Sequence, residues 1–350
     1  MKYFQFIISV LLLFFSFNAF AQDEDHNSKK VKINEAIEHH LLDDYYFTLF
    51  KDEKESKIYG FPLPVILIDE GFKVFLSSEF ISGDQIAKSG SSYYVLDHNK
   101  IYKSYENGEK VIIDGSTVKP LDFSITKSVV GLAFIALLMF AIFIGLSKSY
   151  RKDYNKVPNG IGRLLEPLIL YVRDEIARPN IGTQYKKFMP FLLSVFFLVW
   201  MLNILGLTPF GFNITGNISV TFCLALLTLI IVNVNGSKSY WQHIFWMPGV
   251  PYPVRILLIP IEVLGIFTKG VSLMIRLYAN NTAGHTVIMG LIAIIFLLNE
   301  ELTLGGSISI SLVLTLFIFI IKLLAAFLQA YIFTILSALF IGQAVEEHNH

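Results

Sequence analysis

Ionisable and strongly polar side chains interrupt the two longest apolar runs of this 350-residue chain at a fixed interval. In the first run Glu262, Lys269 and Arg276 are seven residues apart. Seven residues are two helical turns, so on a helix the three share a face, and Asn280 continues it one turn on. His285 follows in the same run, and Thr315, Lys322 and Gln329 repeat the step in the second. Each ionisable group in hydrocarbon costs about 2.5–3.5 kcal/mol even on lenient insertion scales, so such residues mark ion or proton pathways by default. Glu262 and Lys269 fit snorkelling or ion pairing as well as they fit function. Arg276 does not. No acid lies one turn away on its own helix, and its neighbours are Leu273, Met274, Ile275 and Leu277. A guanidinium placed there needs an anion from elsewhere.

The elements that must hold these residues are membrane spans. Hydrophobic residues make up 54% of the chain and charged ones 16%, with a mean hydropathy of +0.57. That is a membrane composition. Apolar runs at about 128–146, 188–207, 217–234, 256–298 and 307–342 are each long enough to cross. The last two are too long. As helices they extend about 64 and about 54 Å at 1.5 Å per residue, against a hydrocarbon core of about 30 Å. They must lie obliquely or bend, curving along a partner within the membrane. Residues 161–178 mix charge and apolarity too evenly to cross and read as a cytoplasmic interfacial helix; residues 240–253, with two Trp, two Tyr and three Pro, belong at headgroup level.

Loop charge orients the spans. Nine basic residues fall between Ser147 and Lys187, whereas the connections 208–216 and 299–306 hold none. The positive-inside rule puts the 147–187 loop and the C-terminal tail, 346–350, in the cytoplasm. Residues 1–21 read as a signal peptide: Lys2, an apolar Phe6–Phe17 stretch, and Ala19-Phe20-Ala21 as cleavage site. Residues 22–125 then form an extracytoplasmic domain, in agreement with the loop charges. From Gln22 to Pro120 there are twelve lysines and no arginine, with acids in excess. Alternating runs at Pro64–Asp69, Phe72–Leu76, Tyr93–Leu96 and Ile101–Tyr105, with a turn at Asp97-His98-Asn99, predict a small β-rich fold. The expected fold class is therefore an all-α polytopic membrane protein of five spanning helices, the last two strongly tilted. It adds a cytoplasmic interfacial helix and an outer β-rich domain; residues 126–345 form the membrane unit.

The sequence argues against other chemistry. Glu35, Glu38, His39 and His40 have metal-ligand types, but their pattern is that of a solvated helix face. Gly265–Ser272 imitates a phosphate loop, yet Val271 stands where its lysine belongs, within continuous apolar helix. Cys223, the lone cysteine, precludes an intrachain disulfide and reads as a small buried hydrophobe. No cofactor, catalytic or metal site, or nucleic-acid surface is expected.

Four stretches carry a family resemblance. The run from Ser272 through Arg276-Leu277, Asn280 and Ala283-Gly284 to His285 resembles the signature of ATP synthase subunit a, and Leu328–Phe333 its second signature. Met201–Pro209 and Gly216–Thr221 are similar to its third and fourth spans. The resemblance covers roughly residues 128–345. It implies a non-catalytic, proton-translocating stator subunit of a bacterial inner membrane. The implied partners are a ring of c subunits, the subunit b peripheral stalk, the other ATP synthase subunits and membrane lipid. Arg276 would face the ring carboxylates, Asn280 and Gln329 would help place it, and Glu262, His285 and Lys322 would take half-channel positions. One departure stands out. Family members often pair an acid with a histidine where this chain has His285 and Lys322, which turns attention to Glu300 or Glu301.

Two other classes compete. A self-contained cation-coupled transporter would use similar buried charges, but no inverted repeat or matched pair of broken helices is visible. A static assembly or receptor protein would leave Arg276 unexplained.

Overall fold

The computed structural model describes residues 43–346, apart from 53–56, 70, 83–85, 91, 98, 114–115, 153–160, 209–213, 247–250 and 299–303. Residues 1–21, expected to be a signal peptide, together with Glu35, Glu38, His39-His40, Glu300, Glu301 and the last four residues, lie outside the described residues.

Short alternating runs build the N-terminal part. A hairpin of β1 (Tyr46–Asp52) and β2 (Lys57–Pro62) leads into a three-stranded antiparallel sheet. That sheet is ordered β10 (Leu121–Asp122), β3 (Pro64–Ile68), β4 (Phe72–Leu76). After the short helix α1 (Ser78–Ser82), strands β5 (Ile86–Ser89), β6 (Ser92–Asp97) and β7 (Lys100–Ser104) form a second antiparallel sheet. The small pair β8 (Ile112–Ile113) and β9 (Ser116–Thr117) closes the unit. All four predicted strand runs are present, and Asn99 takes the expected turn with a φ of 60°. Alternation puts Val65, Leu67 and Phe75 of one sheet against Ala87, Tyr94 and Ile101 of the other, with Tyr45 and Phe80 completing the core. Burial, reinforced by Asp122 as acceptor, pushes the Tyr45 hydroxyl well above its ordinary range, so it remains a donor.

Beyond residue 126 the described elements are helical. The long elements are α2 (Lys127–Lys152), α3 (Ile161–Tyr171), a π turn (172–177), α4 (Arg178–Ile181), α5 (Tyr185–Gly206), α6 (Ile218–Val234), α7 (Lys238–Phe245), α8 (Tyr252–Leu298) and α9 (Leu304–Val345). Four stretches, 127–150, 162–206, 253–284 and 312–345, are long and apolar enough to cross a membrane. The pair α6–α7, bent by 101°, makes a fifth if it counts as one span. The amphipathic 161–178 segment thus runs on into α5, through a break at Gly182 where φ is +70°. It packs along the C-terminal half of α9, through Tyr171 against Tyr331 and the Asn180 carbonyl against Gly342. An aromatic cluster of Phe143, Phe196, Phe197, Trp200 and Phe327 joins α2, α5 and α9. Polar residues inside the apolar helices satisfy themselves: Thr228, Thr334 and Ser337 donate to carbonyls four residues back. One expectation fails. Cys223 is exposed on the outer surface of α6, because that apolar helix packs only the stripe of Thr221, Ala225, Thr228 and Val232 inward.

Asp43 ties the two parts together. Its carboxylate accepts from the Ser128 backbone at 3.0 Å, from the Thr126 hydroxyl at 2.9 Å and from the Asn217 amide at 2.9 Å. Asn217 is itself the cap of α6, its oxygen accepting from Ser219 N at 3.0 Å. One side chain therefore caps α2 and holds the start of α6. Alongside it, Phe47 and Leu63 pack with Ile135, Leu202 and Ile214. Hydrogen bonds to a charged group contribute about 1.5–3 kcal/mol each. Asp43→Ala is accordingly expected to cost about 2–3 kcal/mol, read as faster proteolytic release of the β unit from the membrane-bound chain. Unchanged proteolysis would show that the apolar contacts suffice.

Candidate functional site

The site is built on α8 and α9, which run antiparallel and touch at two fixed points. At one, Lys269 Nζ donates to Gln343 Oε1 at 3.1 Å and lies 5.2 Å from the centre of the Phe340 ring. At the other, Lys322 Nζ rests on Gly284, only 1.0 Å from where a Cβ of residue 284 would sit. Interpolating along the antiparallel pair between these contacts sets the turn Arg276–Asn280 about level with Gln329–Phe333. Both helices are continuous, 47 and 42 residues, far longer than a simple crossing needs.

Arg276 points outward from this pair. It is exposed, beside Ile275 and Val271, which are also exposed, whereas Leu273 and Leu277 on the inner side of the helix are buried. Among the described residues no ion pair or hydrogen bond engages its guanidinium. Elsewhere along the two helices the exposed surface is also apolar, with Leu264, Phe267, Leu316, Phe317 and Leu324 exposed. The seven-residue stripe of α8 drifts as it passes along a helix of 3.6 residues per turn. Glu262 and Lys269 are therefore partly covered while Arg276 is open.

Polar space lies to either side of Arg276 along α8. On the α7 side a cavity of about 610 Å³ is lined by Tyr240, His243, Glu262, Lys269, Gln343 and Glu346. Toward the other end a narrow cleft of about 20 Å³ is lined by Asn203, Asn280, Asn281 and Lys322. Lys269 and Gly284 are each about 10–12 Å from Arg276 along the helix axis at 1.5 Å per residue. Gln329 is buried, and its Nε2 has no partner among the described residues; the same holds for Asn203 Nδ2 and Thr282 Oγ1. Asn203 does accept from Thr215 at 3.3 Å. Buried donors left this way are expected to meet water or a mobile group.

The expected site residues therefore fall into three groups. Glu262 belongs to the larger cavity, Asn280 and Lys322 to the narrow cleft, and Arg276 to the open face between them. Gln329 is buried on α9 and lines neither recess. The backbone of His285 continues α8, but its side chain lies outside the described residues. Tyr240, His243 and Gln343 enter only through tertiary packing of α7 and α9. Asn203 carried a local signal, an amide within an apolar span.

Comparison with known proteins gives the family. The family model described as ATP synthase A chain matches residues 129–342, and a domain of unknown function matches residues 36–123. A Chlorobaculum tepidum protein named ATP synthase subunit a 2 is 40% identical over 258 residues, 72% of this chain and 71% of that one. A Prosthecochloris aestuarii protein of the same name is 34% identical over 321 residues, covering 86% and 97%. A Myxococcus xanthus ATP synthase subunit a is 40% identical over 255 residues, covering 70% and 80%. With that family model matching more than half of the chain, and with these relatives, the chain belongs to the ATP synthase subunit a family.

Proposed function

We propose that this chain is the stator subunit through which protons pass to and from the carboxylates of a rotating c-ring in a bacterial inner membrane. The observation that carries the reading is Arg276: an open guanidinium on an apolar surface, without an acid of its own chain among the described residues, between two polar recesses. A ring carboxylate in lipid is protonated, because an isolated charge there is expensive. Opposite Arg276 the fixed cation favours the ionised form, and the proton leaves into one recess. Rotation then carries the site to the other recess, where it is protonated again. The same cation repels protons and so insulates the two paths from each other.

In this reading the cavity at Glu262, Lys269 and Gln343 is the cytoplasmic half-channel, since it opens near the C-terminus of α9 on the side of the basic loops. The cleft at Asn203, Asn280 and Lys322 is the outer half-channel, below the β unit. Gln329 and Asn280 position the arginine. Each proton contributes about 2.3 kcal/mol per 100 mV of membrane potential, so several are summed mechanically for one reaction in the catalytic headpiece. The five spans, the strong tilt of α8 and α9, the periplasmic placement of the β unit and the subunit b contact belong to the same proposal.

Gentle solubilisation of the membranes, with a tag on this chain, tests it. A ring of small helical-hairpin subunits and an ATP-hydrolysing headpiece are expected to co-purify. Ion transport by the purified chain alone in liposomes would overturn the proposal in favour of a self-contained transporter.

A further inference from the structure

The β unit presents an apolar face that its own fold does not use. Strands β3, β4 and β10 bury Val65, Leu67 and Phe75 toward the second sheet. By the two-residue period their other side carries Ile68, Phe72, Val74, Leu76, Leu121 and Phe123. Register keeps these together: Ile68 pairs with Phe72 and with Leu121, Ile66 with Val74, and Pro64 with Leu76, while Phe123 N donates to Ile66 O at 2.9 Å. All six are between 41 and 70% exposed. No charge interrupts the face, because the sheet's charged residues alternate away from it. Lys73 reaches toward Gly90, and Asp122 accepts from the core hydroxyl of Tyr45. A continuous apolar face of this kind on a water-exposed domain marks an interaction surface.

Its position says what covers it. Strand β10 runs directly into α2: Ile125 N donates to Pro64 O at 3.1 Å, and the helix begins at Lys127. The lower edge of the unit, Phe47 and Leu63, is packed against Ile135, two turns into that helix. The β unit is thus seated at the end of the span and not held away from it on a linker. Along α2 the outer surface stays apolar through Val129, Phe134 and Leu137. The sheet that carries the apolar face is therefore joined directly to a helix whose own exposed side is apolar.

We propose that this sheet face lies in the bilayer interface, its Phe, Leu, Ile and Val side chains entering the headgroup–acyl boundary beside α2. The occupant is lipid itself, since the face is uncharged and the unit that bears it is packed two turns into an apolar helix long enough to cross the bilayer. The domain of unknown function then works as a membrane-resting foot. It fixes the height of the Phe47–Leu63 edge, and through Asp43 that of the α6 cap, relative to the bilayer. This inference requires only that the chain spans a membrane and stands apart from the proton-carrying role proposed above.

Tryptophan quenching by brominated lipid tests it on the full chain in proteoliposomes. Phe123→Trp and Phe72→Trp are compared with Tyr105→Trp, on the far sheet, after subtracting the emission of native Trp200, Trp241 and Trp246. Phosphatidylcholine brominated near the headgroup end of its acyl chains is expected to quench the added emission at 123 and 72 at least twofold, and to leave 105 unaffected. Leu121→Trp replaces Phe123→Trp if the latter fails to insert. Water-like, unquenched emission at both positions overturns the proposal, and so does blue-shifted but unquenched emission, which would mean a protein occupant.

Discussion

Arg276→Ala is expected to abolish ATP-driven proton pumping while the assembled complex continues to hydrolyse ATP. The size of the effect follows from electrostatics. A carboxylate that ionises within an apolar contact between two subunits loses its water and relies on the facing cation. Removing one partner of such a pair costs about 3–5 kcal/mol, which at 1.36 kcal/mol per tenfold is about 10²–10⁴ in rate. Among the described residues no second cation compensates in place. Lys269 is engaged with Gln343, and Lys322 is turned onto Gly284 at the far contact. Arg276→Lys is expected to fail almost as completely, because a compact ammonium on a flexible stem does not reproduce the planar fork of guanidinium donors. Fluorescence-quench assays of pumping in inverted vesicles, with hydrolysis followed in parallel, measure both. Normal pumping by Arg276→Ala would refute the role assigned to the residue. A passive proton leak through the same vesicles is the second expected sign, since the cation that separates the two recesses is gone.

How much of this was legible follows the range of the physics involved. Helix positions depend on local composition, and the five apolar runs fall on α2, α5, α6, α8 and α9 to within about six residues, four of these helices being long and apolar enough to cross by themselves. Strand alternation is equally local, and Pro64–Asp69 and Phe72–Leu76 became β3 and β4. Arg276 was legible because an ionisable residue without a neighbouring acid is an anomaly on any apolar helix. Contacts between elements left no such trace. Nothing around Asp43 announces that it caps α2 and grips Asn217, 174 residues away. Tyr240, His243 and Gln343 come together through the bend after α6 and the antiparallel course of α9. The exposure of Cys223 is invisible in the sequence for the same reason. A uniformly apolar helix conceals which of its sides meets protein, and the Thr221–Ala225–Thr228–Val232 stripe took the inner one.

Gly284 offers the sharpest test of the outer recess. A methyl at this position would lie 1.0 Å from Lys322 Nζ and 2.5 Å from its Cε, so the two cannot coexist as they stand. The obstruction is the end of a flexible side chain and not backbone. Gly284→Ala should therefore leave α8 and α9 packed, swinging the ammonium out of the cleft it lines with Asn203, Asn280 and Asn281. If Lys322 serves the outer path from its present place, pumping falls tenfold or more while assembly is unchanged. Lys322→Ala should produce a loss of similar size by removing the group outright. The double variant decides between displacement and general damage. Residues acting through one contact are non-additive, with coupling energies of about 0.5–3 kcal/mol, so Gly284→Ala with Lys322→Ala should pump no worse than either single variant. Full activity in Gly284→Ala, or losses that simply multiply in the double variant, would mean that the glycine does not act by seating Lys322.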